Sequence, residues 1–360
     1  MDSTSAIAVP VLGMHRSGTS MVSRVLEAGG VAFGVGEDLA GPAADNQHGY
    51  WENLEIRQIN EELLRRLGGD WRNPPGINNQ ALGGLEVEDL RVQATTCLEK
   101  LASTSKPCWS MKDPRMSLVL PFWQSLLRSP VRAVLCLRHP SAVADSLQKR
   151  NRISAQLAGF LWQEYMASAC LALNGSEVLV VSYESMLSRT QVEVQRCIKF
   201  FGEFGVLLDS EAMMQSVDPS LNHAAPGSDS FAGWHPGGAD LFDQLERCAH
   251  GDMAWNEIHA TKPSRDPAFC SLMREAALLA EELDVKNNAY EDRVEEAVDA
   301  RSAQRAAEES CASAVVARIS AAAELEAERT RMDNLQKRLE VRLGSALRRT
   351  LRRSGDQPSS

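Results

Sequence analysis

The stretch VLGMHRSGTSM, Val11 to Met21, decides how the chain is read. Gly13 and Gly18 stand at the spacing of a nucleotide phosphate loop, G-x-x-x-x-G-K-[ST]. After Gly18, where an ATP- or GTP-binding loop carries its lysine, the residue is Thr19, and a basic side chain comes earlier, as Arg16. The preceding run AIAVPVLG (6–13) is apolar and ends in glycine, which predicts a buried strand despite Pro10. In the following SMVSRVLEAGG, Met21, Val22, Val25 and Leu26 share one face of a helix that Gly29 and Gly30 stop. Strand, glycine loop and helix, in that order, form the setting that a phosphate cradle requires.

Such a cradle binds anions without a lysine. Backbone N–H groups at a glycine turn and at a helix N-terminus already point at the ligand. Ser17, Thr19 and Ser20 add hydroxyl donors, and Arg16 adds a planar fork that matches two oxyanion oxygens. What the loop lacks is the lysine used for β- and γ-phosphates. The nearest strand-end aspartate for Mg²⁺ is Asp113, set between Lys112 and Pro114. These features argue against a Mg-triphosphate and predict no metal site.

The strand–helix alternation continues outward from the loop. Amphipathic or apolar helices are predicted over 52–68, 141–150, 155–174 and 191–202, and strands over 107–113, 131–137 and 177–183. Strands separated by helices predict an α/β fold of P-loop type, a parallel sheet with helices on both faces. The segment 216–240 is rich in Pro, Gly, Ser and His and predicts a loop or lid. Beyond about 264 the pattern is helical. Ile319, Leu325, Met332, Leu335, Leu339 and Leu343 are spaced mostly by three, four or seven, suggesting a long helix and a weak coiled-coil seam. The expected domains are therefore 1–265 and a helical extension, 266–360, with no clear internal repeat.

Composition narrows the function classes. Of 360 residues, 44% are apolar, enough for a sizeable core, and the net charge is −10. With a pI near 5.3, a nucleic-acid partner held by global charge is not expected, although a local basic pocket for a small anion is compatible with that balance. The eight cysteines are scattered without a C-x-x-C pair, which reads as buried reduced thiols in a cytoplasmic protein. Neither a membrane span nor a signal peptide is apparent. Arg342, Arg348, Arg349, Arg352 and Arg353 near the C-terminus form either a solvated helix end or a patch for anionic lipid or an acidic partner.

A second element, LCLRHPSAVADSLQKR, places Arg138 just past a strong strand and Ser146 eight residues later, two turns into the next helix. Both side chains can reach one phosphate at the C-terminal edge of the sheet. HRSGTS, then LRHPSAVADSLQKR, then VVSYESML and CIKFFG together resemble the sulfotransferases that use 3′-phosphoadenosine 5′-phosphosulfate (PAPS). The likeness spans residues 6 to about 225 and is greatest to a bacterial branch beginning GMHRSGTS, with kinship to tyrosylprotein and carbohydrate sulfotransferases.

The resemblance implies roles by position. Arg16, Ser17, Gly18, Thr19 and Ser20 match the 5′-phosphosulfate loop, with Arg16 where cytosolic enzymes have lysine. Arg138 and Ser146 match the pair that binds the 3′-phosphate. Tyr183 resembles a position near the adenine, and Lys112, in MKDPR, a lysine that stabilises the transferring sulfuryl group. For the general base the resemblance offers Glu52, in HGYWENLEI, ahead of Glu37, in GVGEDLAGP, with His48 third. A plain helix-dipole role for Glu52 and a solvated loop acid for Glu37 are the structural alternatives. The chain departs from the family in lacking the glycine-rich C-terminal phosphate segment of cytosolic enzymes; DPSLNHAAPGSD (218–229) is the candidate to supply the lid instead, with Ser220, Asn222 or His223 near the nucleotide.

The implied activity is in-line transfer of a sulfuryl group from PAPS to an acceptor hydroxyl on a carbohydrate or small metabolite, without a metal. The expected partners are that acceptor, a second copy through the C-terminal helix, and a membrane surface at the basic tail. Trp51, Trp71, Trp162 and Trp234 are placed in core or lid packing, with sugar stacking as the other option. Two rival functions remain: a Mg-dependent P-loop kinase, and an inactive scaffold working through its coiled coil.

Overall fold

The structure is a computed structural model that describes residues 6–34, 38–41, 49, 51–76, 86–127, 131–218 and 231–353. Strand β4 (Arg132–Leu137) organises it. It pairs in parallel with β2 (Val11–Leu12) on one side and β5 (Glu177–Ser182) on the other. Its register sets Leu12 beside Leu135, and Leu137 beside Ser182. A second parallel pair joins β1 (Ile7–Ala8) to β3 (Cys108–Trp109). Single parallel bridges link Val11 to Lys112 and Ala32 to Trp109.

The run expected as one strand over 6–13 is two short ones, parted at Pro10. Proline has no N–H to give to a ladder. Its carbonyl still accepts from Val134 N at 3.0 Å, so the chain keeps its direction through the break. The strand expected to reach residue 183 ends at Ser182, whose hydroxyl caps the next helix by accepting from Ser185 N.

From Ala133 to Leu137 both faces of β4 are buried, which is why that part reads as an unbroken apolar run. Ala133, Leu135 and Leu137 face one hydrophobic cluster. It is built from α2 (Leu54–Arg66), α3 (Glu88–Ala102), α4 (Met116–Gln124), α5 (Pro140–Asn151) and α6 (Ala155–Ala172). Val134 and Cys136 face the other, closed by α1 (Thr19–Ala28) and α8 (Thr190–Gly202), with α7 (Tyr183–Ser188) between β5 and α8. The fold is thus α/β, with parallel strands flanked by helices.

Helices α9 (Ser210–Ser216) and α10 (Gly238–His250) follow. Helix α10 begins inside the segment expected as loop, because Gly237 in the left-handed region opens it and Leu241, Phe242 and Leu245 form a buried stripe. Helices α3 and α4 have no counterpart in the sequence-based pattern. Helix α4 is apolar nearly all round and contains Pro121, which masks its period.

By contacts the chain divides into two units, Met1–Val285 and Lys286–Ser360. The second unit consists of the continuation of α11 (Pro267–Arg353), on which Ile319, Leu325 and Met332 are exposed. Five cysteines are buried, Cys311 is exposed, and all eight are free thiols. Burial pushes the thiols of Cys97, Cys108, Cys170 and Cys197 up to about 12, which keeps them protonated. No helix among the described residues is long and apolar enough to cross a membrane.

Asn53 links fold to site. Its buried side chain caps α2 by accepting from Glu55 N at 3.0 Å and Ile56 N at 3.1 Å, directly after Glu52. Asn53→Ala should lower stability by about 1 kcal/mol. An unchanged urea midpoint would show that the cap is not needed.

Candidate active site

The glycine loop leaves β2 at Leu12 and enters α1 at Thr19. Three of its residues, Gly13, Arg16 and Gly18, have positive φ, of 145°, 68° and 85°. Gly18 caps α1 in the left-handed region, and a Cβ there would lie 2.4 Å from the Tyr183 ring. Only glycine permits both the turn and that approach. Gly13 N donates to the Ser117 hydroxyl at 3.0 Å, anchoring the loop on α4.

The two expected anion-binding elements meet at this loop. Arg138, one residue beyond β4, donates from Nη1 to the Arg16 carbonyl at 2.9 Å. Its guanidinium stacks 4.3 Å from the centroid of Tyr183. Arg16 Nε donates to the Ser146 hydroxyl at 2.8 Å, across from α5. Arg16, Ser17, Gly18, Thr19, Ser20, Arg138, Ser146 and Tyr183 therefore form one contiguous group. Burial raises the Tyr183 phenol, and Arg138 partly offsets that rise. Ser17 Oγ and Arg138 Nε are buried without a hydrogen-bond partner. Unsatisfied buried donors of this kind point to a missing acceptor.

Lys112 lies just past β3, with only 2% of its surface exposed. Its ammonium donates to Glu52 Oε1 at 2.9 Å and to Ser20 Oγ at 3.2 Å. The lysine thus joins the start of α1 to a carboxylate. Glu52 is held there from both sides. Trp51 has a left-handed φ of 53°, and its indole N–H donates to Glu27 on α1 at 2.6 Å. The Glu52 carbonyl accepts from Ala40 N at 2.8 Å, and Asn53 begins the capped helix. Glu37, His48, Ser220, Asn222 and His223 lie outside the described residues. Asp113 is fully buried and engaged by Arg115, through the backbone N–H at 2.8 Å and the guanidinium at 3.1 Å.

A cavity of about 280 Å³ opens beside the loop, lined by His15, Arg16, Glu52, Trp71, Arg72, Arg115 just before α4, and residues of α2 and α5. Among the four tryptophans weighed from sequence, Trp71 lines this cavity. Trp51 is tied to Glu27, and Trp162 and Trp234 pack on one another with centroids 6.2 Å apart.

No family model matches the chain, and no curated protein does. Solved structures with a similar chain path do exist. A sulfotransferase domain from the curacin biosynthetic pathway aligns at 15% identity with a TM-score of 0.37, covering 77% of this chain and 97% of its own. A sulfotransferase from Mycobacterium tuberculosis aligns at 13% identity with a TM-score of 0.39, covering 69% and 78%. The sulfotransferase domain of an olefin synthase from Synechococcus aligns at 17% identity with a TM-score of 0.34, covering 76% and 96%.

His15 is a site residue that no sequence pattern assigned. Its ring packs 4.7 Å from Trp71 and 5.7 Å from Tyr165, and its Nε2 has no hydrogen-bond partner. Burial, with Arg115, Lys112, Arg150 and Arg16 nearby, holds the imidazole well below its ordinary range. As pH falls through about 6.5, the unfolded chain gains a proton at His15 that the folded protein refuses, so stability drops. Urea midpoints at pH 7.5 and 5.5 should converge in His15→Asn relative to the native chain. Equal acid sensitivity in both proteins would contradict a neutral, buried His15.

Proposed function

We propose that this chain transfers a sulfuryl group from PAPS to an acceptor hydroxyl on a carbohydrate or another small metabolite. One observation carries this assignment: the Arg138 guanidinium and the Ser146 hydroxyl both reach Arg16 of the glycine loop within hydrogen-bond distance. PAPS has a phosphosulfate at one end and a separate 3′-phosphate, so it calls for two anion sites within the span of one nucleoside. The motif resemblance supports the same assignment independently of the geometry.

In this proposal the N–H groups at the start of α1, with Ser17, Thr19 and Ser20, hold the phosphosulfate. Arg138 and Ser146 hold the 3′-phosphate, and Tyr183 flanks the adenine. Ser17 Oγ and Arg138 Nε, now without partners, are donors that the nucleotide would satisfy. Arg16 and Lys112 face the negative charge that develops during transfer. Glu52 accepts the proton of the acceptor hydroxyl as its oxygen bonds to sulfur and the sulfur–phosphate oxygen bond breaks. Glu52 is chosen as base because its carboxylate touches Lys112, which itself touches the loop at Ser20. The kinase alternative needs a carboxylate free for Mg²⁺ near the loop, and Asp113 is instead taken up by Arg115.

Calorimetry tests the nucleotide. Metal-free 3′-phosphoadenosine 5′-phosphate should bind and ATP-Mg²⁺ should not, and Arg138→Ala should abolish the binding. Preference for ATP-Mg²⁺ overturns the assignment. Glu52→Gln should retain nucleotide affinity and lose roughly 10²–10⁴-fold in turnover. Full turnover in that variant removes Glu52 as the base.

A further inference from the structure

Helix α11 runs unbroken from Pro267 to Arg353, and its continuation past residue 285 is a unit by itself. Every residue from 288 to 334 is exposed. A helix that stays solvated is normally polar all round and supported by i,i+4 pairs. This one has such pairs, Arg305 with Glu309 and Gln304 with Glu308. It also exposes Tyr290, Val294, Val298, Val315, Val316 and Ile319. Val298 and Val316 stand eighteen residues apart in the sequence, about five turns, and so lie on one line along the helix. The other four fall close to that line by the same period, so the six make one apolar stripe. Such a stripe on a soluble helix marks a surface that pairs with another.

Charge along the helix identifies the partner. By sequence, residues 287–309 carry three basic and seven acidic side chains, a net −4. Residues 331–353, a segment of equal length, carry eight basic and two acidic, a net +6. Midway between them, six of the twelve residues 312–323 are alanine, and Arg318 is the only charged one. Small side chains let two helix axes approach closely, because the spacing is set by the residues at the contact. The helix thus complements itself when reversed end for end about residue 320. Parallel pairing would set each charged segment beside its like-charged twin, which is unfavourable.

We propose that the surface of α11 beyond residue 286 binds a second copy of this chain, as an antiparallel pair of helices. Val315, Val316 and Ile319 meet their counterparts at the alanine-rich centre. The acidic segment of each copy lies along the basic segment of the other, so both charge contacts form twice. The basic end of the helix is thereby matched within the dimer and is not spent on an anionic surface.

The test uses the full chain. Sedimentation equilibrium at micromolar concentration should show a dimer. Its dissociation constant should rise several-fold between about 0.05 and 0.5 M NaCl, as the charge contacts are screened. Val316→Glu and Ile319→Glu should each raise it about tenfold or more, since each places two desolvated charges in one seam. Both residues are exposed, so neither change should disturb residues 1–285 or alter affinity for 3′-phosphoadenosine 5′-phosphate. Spin labels read the orientation. With Cys248 and Cys270 replaced by serine, Cys311 is the exposed thiol for labelling. At a rise of 1.5 Å per residue, antiparallel helices centred on residue 320 set the two Cys311 labels about 27 Å apart along the axis. Moving the label by Ser302→Cys, with Cys311→Ser, should widen the separation to about 54 Å, and Ser320→Cys should bring it to its shortest.

A chain that stays monomeric overturns the proposal. Short, equal separations at all three positions also overturn it, for they describe a parallel pair. A dimer that both glutamate substitutions leave intact removes the stripe as its seam. A monomer that instead binds phosphatidylserine vesicles through residues 331–353 assigns the basic end to a membrane surface, and the proposal fails.

Discussion

The hydrogen bond from Arg138 to the Arg16 carbonyl depends on where β4 ends. β4 lies between β2 and β5 in parallel register, so its C-terminal edge and the mouth of the glycine loop lie side by side. The bond uses a backbone acceptor that the loop's left-handed turn leaves outside any helix or ladder. Tyr183 follows directly from β5, packs under the same guanidinium, and leaves room only for glycine at position 18. Three adjacent strand ends thus fix one loop, and everything proposed for the anion site follows from that constraint.

The second constraint is electrostatic. Burying Lys112 with Glu52 removes both charges from water, and such pairs are often no more stabilising than apolar side chains of similar size. The pair is therefore poorly explained as a stability device. Its position explains it better, because the ammonium also reaches Ser20 at the start of α1, where the helix dipole favours an anion. The strained φ of Trp51 and the indole bond to Glu27 hold the carboxylate in place. Backbone strain kept at such a point is more readily understood as positioning than as packing.

Much of the architecture was legible in the sequence because burial on both faces leaves a direct trace. β4 from Ala133 to Leu137 and β5 from Val178 to Val181 are unbroken apolar runs, and α1, α5, α6 and α8 follow their expected spans to within about two residues. Helices α3 and α4 were not legible. Helix α3 has a weak amphipathic signal, and α4 is apolar on nearly every face around Pro121. The start of α10 was hidden inside a glycine- and proline-rich segment, since composition there signals turns and cannot count the buried leucine stripe that follows.

For the candidate site, local sequence determined the glycine loop, the arginine that follows β4 and the serine two turns beyond it. Each of these is encoded within a few residues of a strand end. The spatial meeting of Arg16 with Ser146, and of Lys112 with Glu52, spans 130 and 60 positions, and only the tertiary structure decided it. The arginine-lined cavity was wholly hidden, for its arginines come from unrelated segments and form no motif. Motifs record what one turn of backbone needs to hold a phosphate. A pocket's lining is a set of side chains that only folding brings together, so no single stretch of sequence displays it.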